Sequence, residues 1–270
     1  MESPRIYSPE YYGRIHELEE RHWWYIGMRA VAASLLRSHS TSGGRRRVLD
    51  AGCGTGATMA WARAALGASD VTGIDVAREA LALCLARGER RLSQSSVIQL
   101  PFRGGCFDLV LCCDVLQHLP TDGGDVQALR EFHRVLCAGG AVLIRTNSRL
   151  GTVRRRGRAD PDFQQYRLEE VVSRMEAAGF AVTRGSYANA LPALYAVLRA
   201  WLARTEKSPA AHDHGLYRGL AVRDTAVRRP WLNRLLLGIL AGEARYLAAP
   251  HRRLRFGHTI LCVGVKTHEP

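Results

Sequence analysis

Three observations in the sequence predict an α/β fold, a parallel sheet covered on both faces by helices. Short apolar runs alternate with stretches of helical periodicity along most of the chain. The first of these runs, 47–51, opens into the glycine loop GCGTG at 52–56. The second ends on an acidic residue, Asp75.

Taken in order, 15–36 has a charged first half and apolar Ile26, Val31, Leu35 and Leu36 in its second half, which predicts one helix ended by SHSTSGG. Residues 47–51 form a strand, and 58–66 restart as helix after the glycines. The same unit recurs as strand 71–74 with helix 77–87, a weak strand 96–99, and a strong strand 107–113 with helix 126–136. After the turn at 138–140 come strand 141–146, helix 168–178, strand 180–187 and a last strand at 259–265. About 70 residues between the last two strands exceed what this plan requires. Within them, Leu191, Leu194, Tyr195, Leu198, Trp201 and Leu202 share one helix face, with Pro192 suited to a first turn. A second apolar helix spans 231–248, and 205–224 read as loop.

The composition narrows the function. With 270 residues, 47% apolar and 23% charged, the chain suits one elaborated domain. No apolar run follows a basic start, so no secretory signal is expected, and the longest apolar stretch, 235–241, is far short of the roughly 20 residues of a membrane span. The seven cysteines lack CxxC spacing and read as reduced thiols of a cytoplasmic protein; the histidines form no HExxH pair, and no metal is expected. The net charge of +13 invites a nucleic-acid reading, but only Lys207 and Lys266 are lysines and the arginines are scattered, so no nucleic-acid partner is expected.

In VLDAGCGTG, Gly52, Gly54 and Gly56 let the backbone bend tightly and approach a ligand, and the next helix presents its amide end. Asp75 lies 23 residues beyond Gly52, placed to accept hydrogen bonds from two ribose hydroxyls. That arrangement serves any nucleoside cofactor. A nicotinamide dehydrogenase fits less well, because GxGxG lacks the third glycine of GxGxxG.

The succession VLDAGCGTG, GIDVA, SSVIQLPFRGGCFDLV, LQHLP and LREFHRVLCAGG resembles the class I S-adenosylmethionine-dependent methyltransferases, in particular the small-molecule group known as methyltransferase type 11, in order and spacing over about 100 residues. The resemblance implies a Rossmann-like seven-stranded sheet with an antiparallel last strand and a helical insertion between strands six and seven. It implies that Asp50, Ala51, Gly52, Gly54 and Gly56 belong to the S-adenosylmethionine site, with the backbone around Ala51 and Gly52 meeting the methionine part, that Asp75 takes the ribose, and that Val76, Ser96 and Val97 flank the adenine. Ser96 stands where the group usually has an acid. Cys113 and Asp114 are expected beside the sulfonium, and Arg29, in RHWWYIGMR, opposite the methionine carboxylate.

Methyl transfer needs no covalent enzyme nucleophile; it needs acceptor, methyl and sulfur held in line. His118 is the candidate base, with Asp114 as the second catalytic candidate. Trp24, Tyr25, Asn147 and Tyr187 are the acceptor-side candidates. The fourth strand ends CCDVLQHL and not in the PPY pattern of planar-nitrogen methylation, while arginines in 149–158 suggest an acidic acceptor. The expected organisation is an N-terminal helical segment closing the cofactor site (1–40), a core (41–190), an insertion forming a lid or dimer contact (191–256) and the final strand (257–270). The expected protein is a monomeric or homodimeric methyltransferase acting on a small acidic or apolar molecule. An RNA or protein methyltransferase, or a binder of the cofactor that catalyses another reaction, is the alternative.

Overall fold

The computed structural model describes residues 8–39, 46–149, 164–205 and 229–267. Strands β1 (Arg46–Ala51), β2 (Ala68–Asp75), β3 (Leu92–Gln94), β4 (Phe107–Cys113), β5 (Leu136–Asn147), β6 (Phe180–Ala188) and β7 (Thr259–Lys266) form one sheet in the order β3-β2-β1-β4-β5-β7-β6. The pairs from β3 to β5 are parallel, and β7 runs antiparallel to both neighbours. The order reverses direction between β1 and β4, which opens a crevice at their carboxyl ends.

Helices α1 (Pro9–Leu18), α2 (Trp23–Leu36), α3 (Ala57–Leu66), α4 (Arg78–Ala86), α5 (Gly124–Val135), α6 (Leu168–Ala177), α7 (Ala190–Thr205) and α8 (Pro230–Leu247) cover the sheet and its rim. Alternate strand residues separate into two cores, because successive side chains point to opposite faces. Val48, Leu109, Leu111, Leu143, Leu261 and Val263 pack toward α2, α3 and α8. Leu49, Val110, Val142, Ile144 and Ile260 pack toward α5 and α6.

Two elements differ from the sequence expectation. The single helix expected over 15–36 is two helices, because the chain turns at 19–22 and His22, extended at ψ 130°, caps α2 by accepting from Trp24 N. The third strand lies at Leu92–Gln94, where it pairs with Gly73–Asp75, while 96–99 form a turn closed by Gln99 N to Ser96 O at 3.2 Å. A three-residue polar edge strand leaves no apolar alternation to read.

Within the insertion, α8 packs against the body. Leu240, Ala244 and Leu247 are buried with Met28, Val31 and Leu35, and each buried leucine contributes about 1.5–3 kcal/mol. Gly27 makes this possible: a Cβ there would overlap the Leu240 side chain. Asn233 joins the helix starts, its Oδ1 accepting from Trp23 N and its Nδ2 donating to Arg21 O, each at 2.9 Å. Glu243 accepts from Asn189 N at 2.6 Å and Ala190 N at 2.8 Å, so it caps α7. The outer faces stay open, with Leu191, Leu194, Tyr195 and Leu198 on α7 and Trp231 and Leu235 on α8 exposed. The loop expected at 205–224 lies, beyond its first residue, outside the described residues.

Candidate active site

The turn after β1 is shaped by left-handed backbone at Gly52 (φ 88°), Gly54 (φ 53°) and Gly56 (φ 90°). At Gly52 a side chain is excluded twice, by this conformation and by Val115, whose Cγ2 fills the space a Cβ would need. At Gly54, among the described residues, nothing lies within 4 Å of a would-be Cβ. Asp75 ties the loop to β2: its Oδ2 accepts from Gly54 N and its Oδ1 from Ala77 N, both at 2.9 Å.

Asp50, at the end of β1, is fully buried, and among the described residues neither carboxylate oxygen has a hydrogen-bond partner. Burial, with Asp75 adding repulsion, pushes its carboxyl well above the ordinary range. An unpaired buried carboxylate is costly to a fold, so a cationic partner is the arrangement that would relieve it.

The turn between α1 and α2 straps this loop. Buried Glu19 accepts from the Thr55 hydroxyl and from Arg87 Nη2 at 2.5 Å, and Arg87 Nε donates to Thr55 O at 3.0 Å. Arg29 Nη2 donates to Glu19 O at 2.7 Å, which holds the guanidinium at this junction. Burial pushes the Glu19 carboxyl up despite these donors.

At the end of β4, Asp114 takes left-handed backbone at φ 60°, a conformation uncommon outside glycine. Its Oδ2 accepts from Arg145 Nη2 at 2.5 Å and Nε at 3.1 Å, while among the described residues its buried Oδ1 has no partner. Arg145 sits opposite Cys113 in the sheet, with its guanidinium 5.0 Å from the Trp24 ring centroid. Burial disfavours the charged guanidinium, but Asp114 and Cys113 hold its pKa above the usual value. Tyr25 meets Trp24 edge-on at 5.0 Å, and burial, then Tyr11 and Asp114, push its phenol up. Burial pushes the Cys113 thiol to about 12, so it is protonated at neutral pH.

The structure therefore gathers Trp24, Tyr25, Arg29, Asp50, Ala51, the three loop glycines, Asp75, Cys113 and Asp114 at the carboxyl ends of β1, β2 and β4. Val76, half exposed, and buried Val97 lie beyond Asp75, and Ser96 Oγ accepts from Ile98 N at 3.4 Å. Asn147 is buried at the end of β5 opposite Thr259, and His118 is half-buried on the 3₁₀ turn Leu116–His118. Tyr187 stands apart: its hydroxyl accepts from Leu168 N at 3.1 Å and its side chain packs in the α6-side core. Arg149 is drawn to Gln165 O and Glu170, and the arginines at 154–156 and 158 lie outside the described residues. Sequence reasoning missed Glu19 and Arg145. The only trace of Arg145 was a charge interrupting the apolar run AVLIRTN. A cleft of about 330 Å³ beside Arg47, Asp70, Arg91 and Phe102 lies at the amino-terminal strand ends, away from these residues. Among the described residues no three His, Cys, Asp or Glu side chains group as a metal site, and no helix is long and apolar enough to cross a membrane.

A family model described as a methyltransferase domain matches residues 49–144, which contain this loop and the ends of β1, β2 and β4. Residues 49–144 thus match a methyltransferase domain. The methyltransferase domain has relatives in the tRNA U34 carboxymethyltransferase of Alcanivorax borkumensis, 37% identical over 145 residues covering 51% of this chain and 41% of that protein. The ubiquinone biosynthesis O-methyltransferase of Pseudomonas aeruginosa is 34% identical over 113 residues, 38% of this chain and 45% of that one. The chain thus spans less than half the length of these curated relatives. In a Haloferax volcanii complex of a methyltransferase candidate with the Trm112 methyltransferase activator, the similar chain has a TM-score of 0.61 and 17% identity, with 97% of this chain and 96% of that one covered. That likeness carries the fold.

Proposed function

We propose that the chain binds S-adenosylmethionine at the glycine loop and transfers its methyl group to a small molecule. The observation that carries this reading is Asp50, a fully buried carboxylate without a hydrogen-bond partner among the described residues, beside a loop whose Gly54 leaves open space. The donor set fits the cofactor. Asp50 would neutralise the methionine ammonium, Arg29 would face its carboxylate, Asp75 would accept from the ribose hydroxyls, and Val76, Ser96 and Val97 would flank the adenine. When bound, S-adenosylmethionine supplies an electrophilic methyl on a sulfonium.

Trp24, Tyr25, Asn147 and the Asp114–Arg145 pair would form the acceptor side. Among the described residues of this end, Asp114 already neutralises Arg145 and Arg149 faces Glu170, which leaves little unopposed positive charge for an acid. A neutral acceptor with a hydroxyl or amine suits it better, with Asp114 Oδ1 or His118 receiving the proton. The open apolar face of α7 would form the rim over which such an acceptor enters. A second reading, an RNA acceptor, is favoured by the similarity to a tRNA carboxymethyltransferase and by the net charge of +13.

Purified protein incubated with methyl-labelled S-adenosylmethionine and, separately, metabolite extract, RNA and protein fractions distinguishes these readings. Label is expected in the metabolite fraction. Label confined to RNA would replace the first reading with the second.

A further inference from the structure

Beneath the glycine loop lies a pair of cysteines that methyl transfer does not use. Cys53 is in the loop itself, Cys84 projects from α4, and their Sγ atoms are 3.8 Å apart, both buried. Cys84 also supports the loop: its thiol donates to Gly54 O at 3.1 Å, on the residue whose N–H is held by Asp75. Gly54 is thus held through both its backbone groups. The pair is tightly enclosed, since a Cβ on Gly73 would come within 2.9 Å of Cys53 Sγ and one on Gly56 within 3.1 Å of Cys84 Sγ.

We propose that Cys53 and Cys84 are a reversible oxidative modification site, at which a disulfide withdraws the loop from the cofactor. The proposal rests on the reading that this loop binds the S-adenosyl nucleoside. Bond formation requires the sulfurs to close by about 1.8 Å to reach a bond of roughly 2.05 Å. Forming the bond takes from Cys84 the proton it donates to Gly54 O, so the loop loses one of the two contacts that hold Gly54. The oxidant is a peroxide: one thiol attacks its O–O bond to give a sulfenic acid and a first water, the second sulfur displaces the hydroxyl as a second water, and the S–S bond forms. Each sulfur gives up one electron overall, and these two electrons reduce the one peroxide to two waters. A dithiol reductant reverses the change. Bound cofactor and the disulfide then oppose one another, because each favours a different loop position.

Hydrogen peroxide treatment of the full chain, followed by peptide mapping and calorimetry with S-adenosylhomocysteine, tests this. A mass loss of about 2 Da in a Cys53–Cys84 peptide is expected, with affinity reduced about tenfold or more and restored by dithiothreitol. Prior saturation with S-adenosylhomocysteine should slow the link, and Cys84→Ser, which keeps a hydroxyl for Gly54 O, should not respond to oxidant. Cys53 and Cys84 remaining free under treatment that oxidises half-buried Cys106 and Cys137 would overturn the proposal. So would linked protein that binds as tightly as reduced protein. Reduced protein that never binds S-adenosylhomocysteine, even though the link forms, defeats the cofactor reading and with it the claim of release; a missing link in protein that binds defeats this proposal alone.

Discussion

Asp50 and His258 are buried groups whose titration the fold opposes, in opposite senses. Asp50 has a raised carboxyl, so the folded state holds its proton at pH values where the unfolded chain has released it, and stability from this group falls as pH rises above the unfolded value. Asp50→Asn removes that penalty. We predict that the variant has a higher unfolding free energy in urea denaturation at neutral pH, by about 1 kcal/mol or more, and binds S-adenosylhomocysteine more weakly. A destabilised variant of unchanged affinity would mean that Asp50 is a structural residue. His258 is pulled down from 6.5 to about 4 by burial. Here the unfolded chain takes the proton first, so stability is intact above the unfolded value and declines as pH falls from 6.5 toward 4. The unfolding free energy from urea denaturation should fall by about 1–3 kcal/mol across that window, and His258→Gln should flatten the decline.

Among the elements, the pairing of α2 with α8 sets how the insertion joins the body, and it depends on Gly27. Gly27→Ala puts a methyl into Leu240, so a loss of about 1–3 kcal/mol is expected in urea denaturation, and Leu240→Ala in the same chain should recover part of it. Additive losses would show that the two helices do not meet at this point. The same packing means that replacing all of 191–256 by a turn removes Leu240, Ala244 and Leu247 from the core, and unfolding is the expected result. Nothing in the periodicity of 231–248 could separate a lid helix from a core helix, since both are amphipathic. What decides is the partner surface on α2, far away in sequence. For the same reason the loop glycines, Asp50 and Asp75 were legible, being local to one strand–loop–helix unit, whereas Glu19 and Arg145 gain their roles only when α1, α2 and β5 converge.

For the whole molecule, the strand order and the reversal of β7 bring the ends of β1, β2, β4 and β5 to one crevice, where, among the described residues, buried Asp50 and Asp75 have no ion-pair partner while Glu19 and Asp114 are paired with Arg87 and Arg145. The central claim is that this crevice exists to hold a positively charged S-adenosyl nucleoside. Calorimetric titration of S-adenosylhomocysteine into wild type and Asp75→Ala tests it most directly. The account predicts binding of one nucleoside per chain to the wild type and a loss of about 1–3 kcal/mol in the variant, from ribose hydroxyls left unpaired. No binding by the wild type, equal affinity in the variant, or tighter binding of a nicotinamide dinucleotide would contradict it.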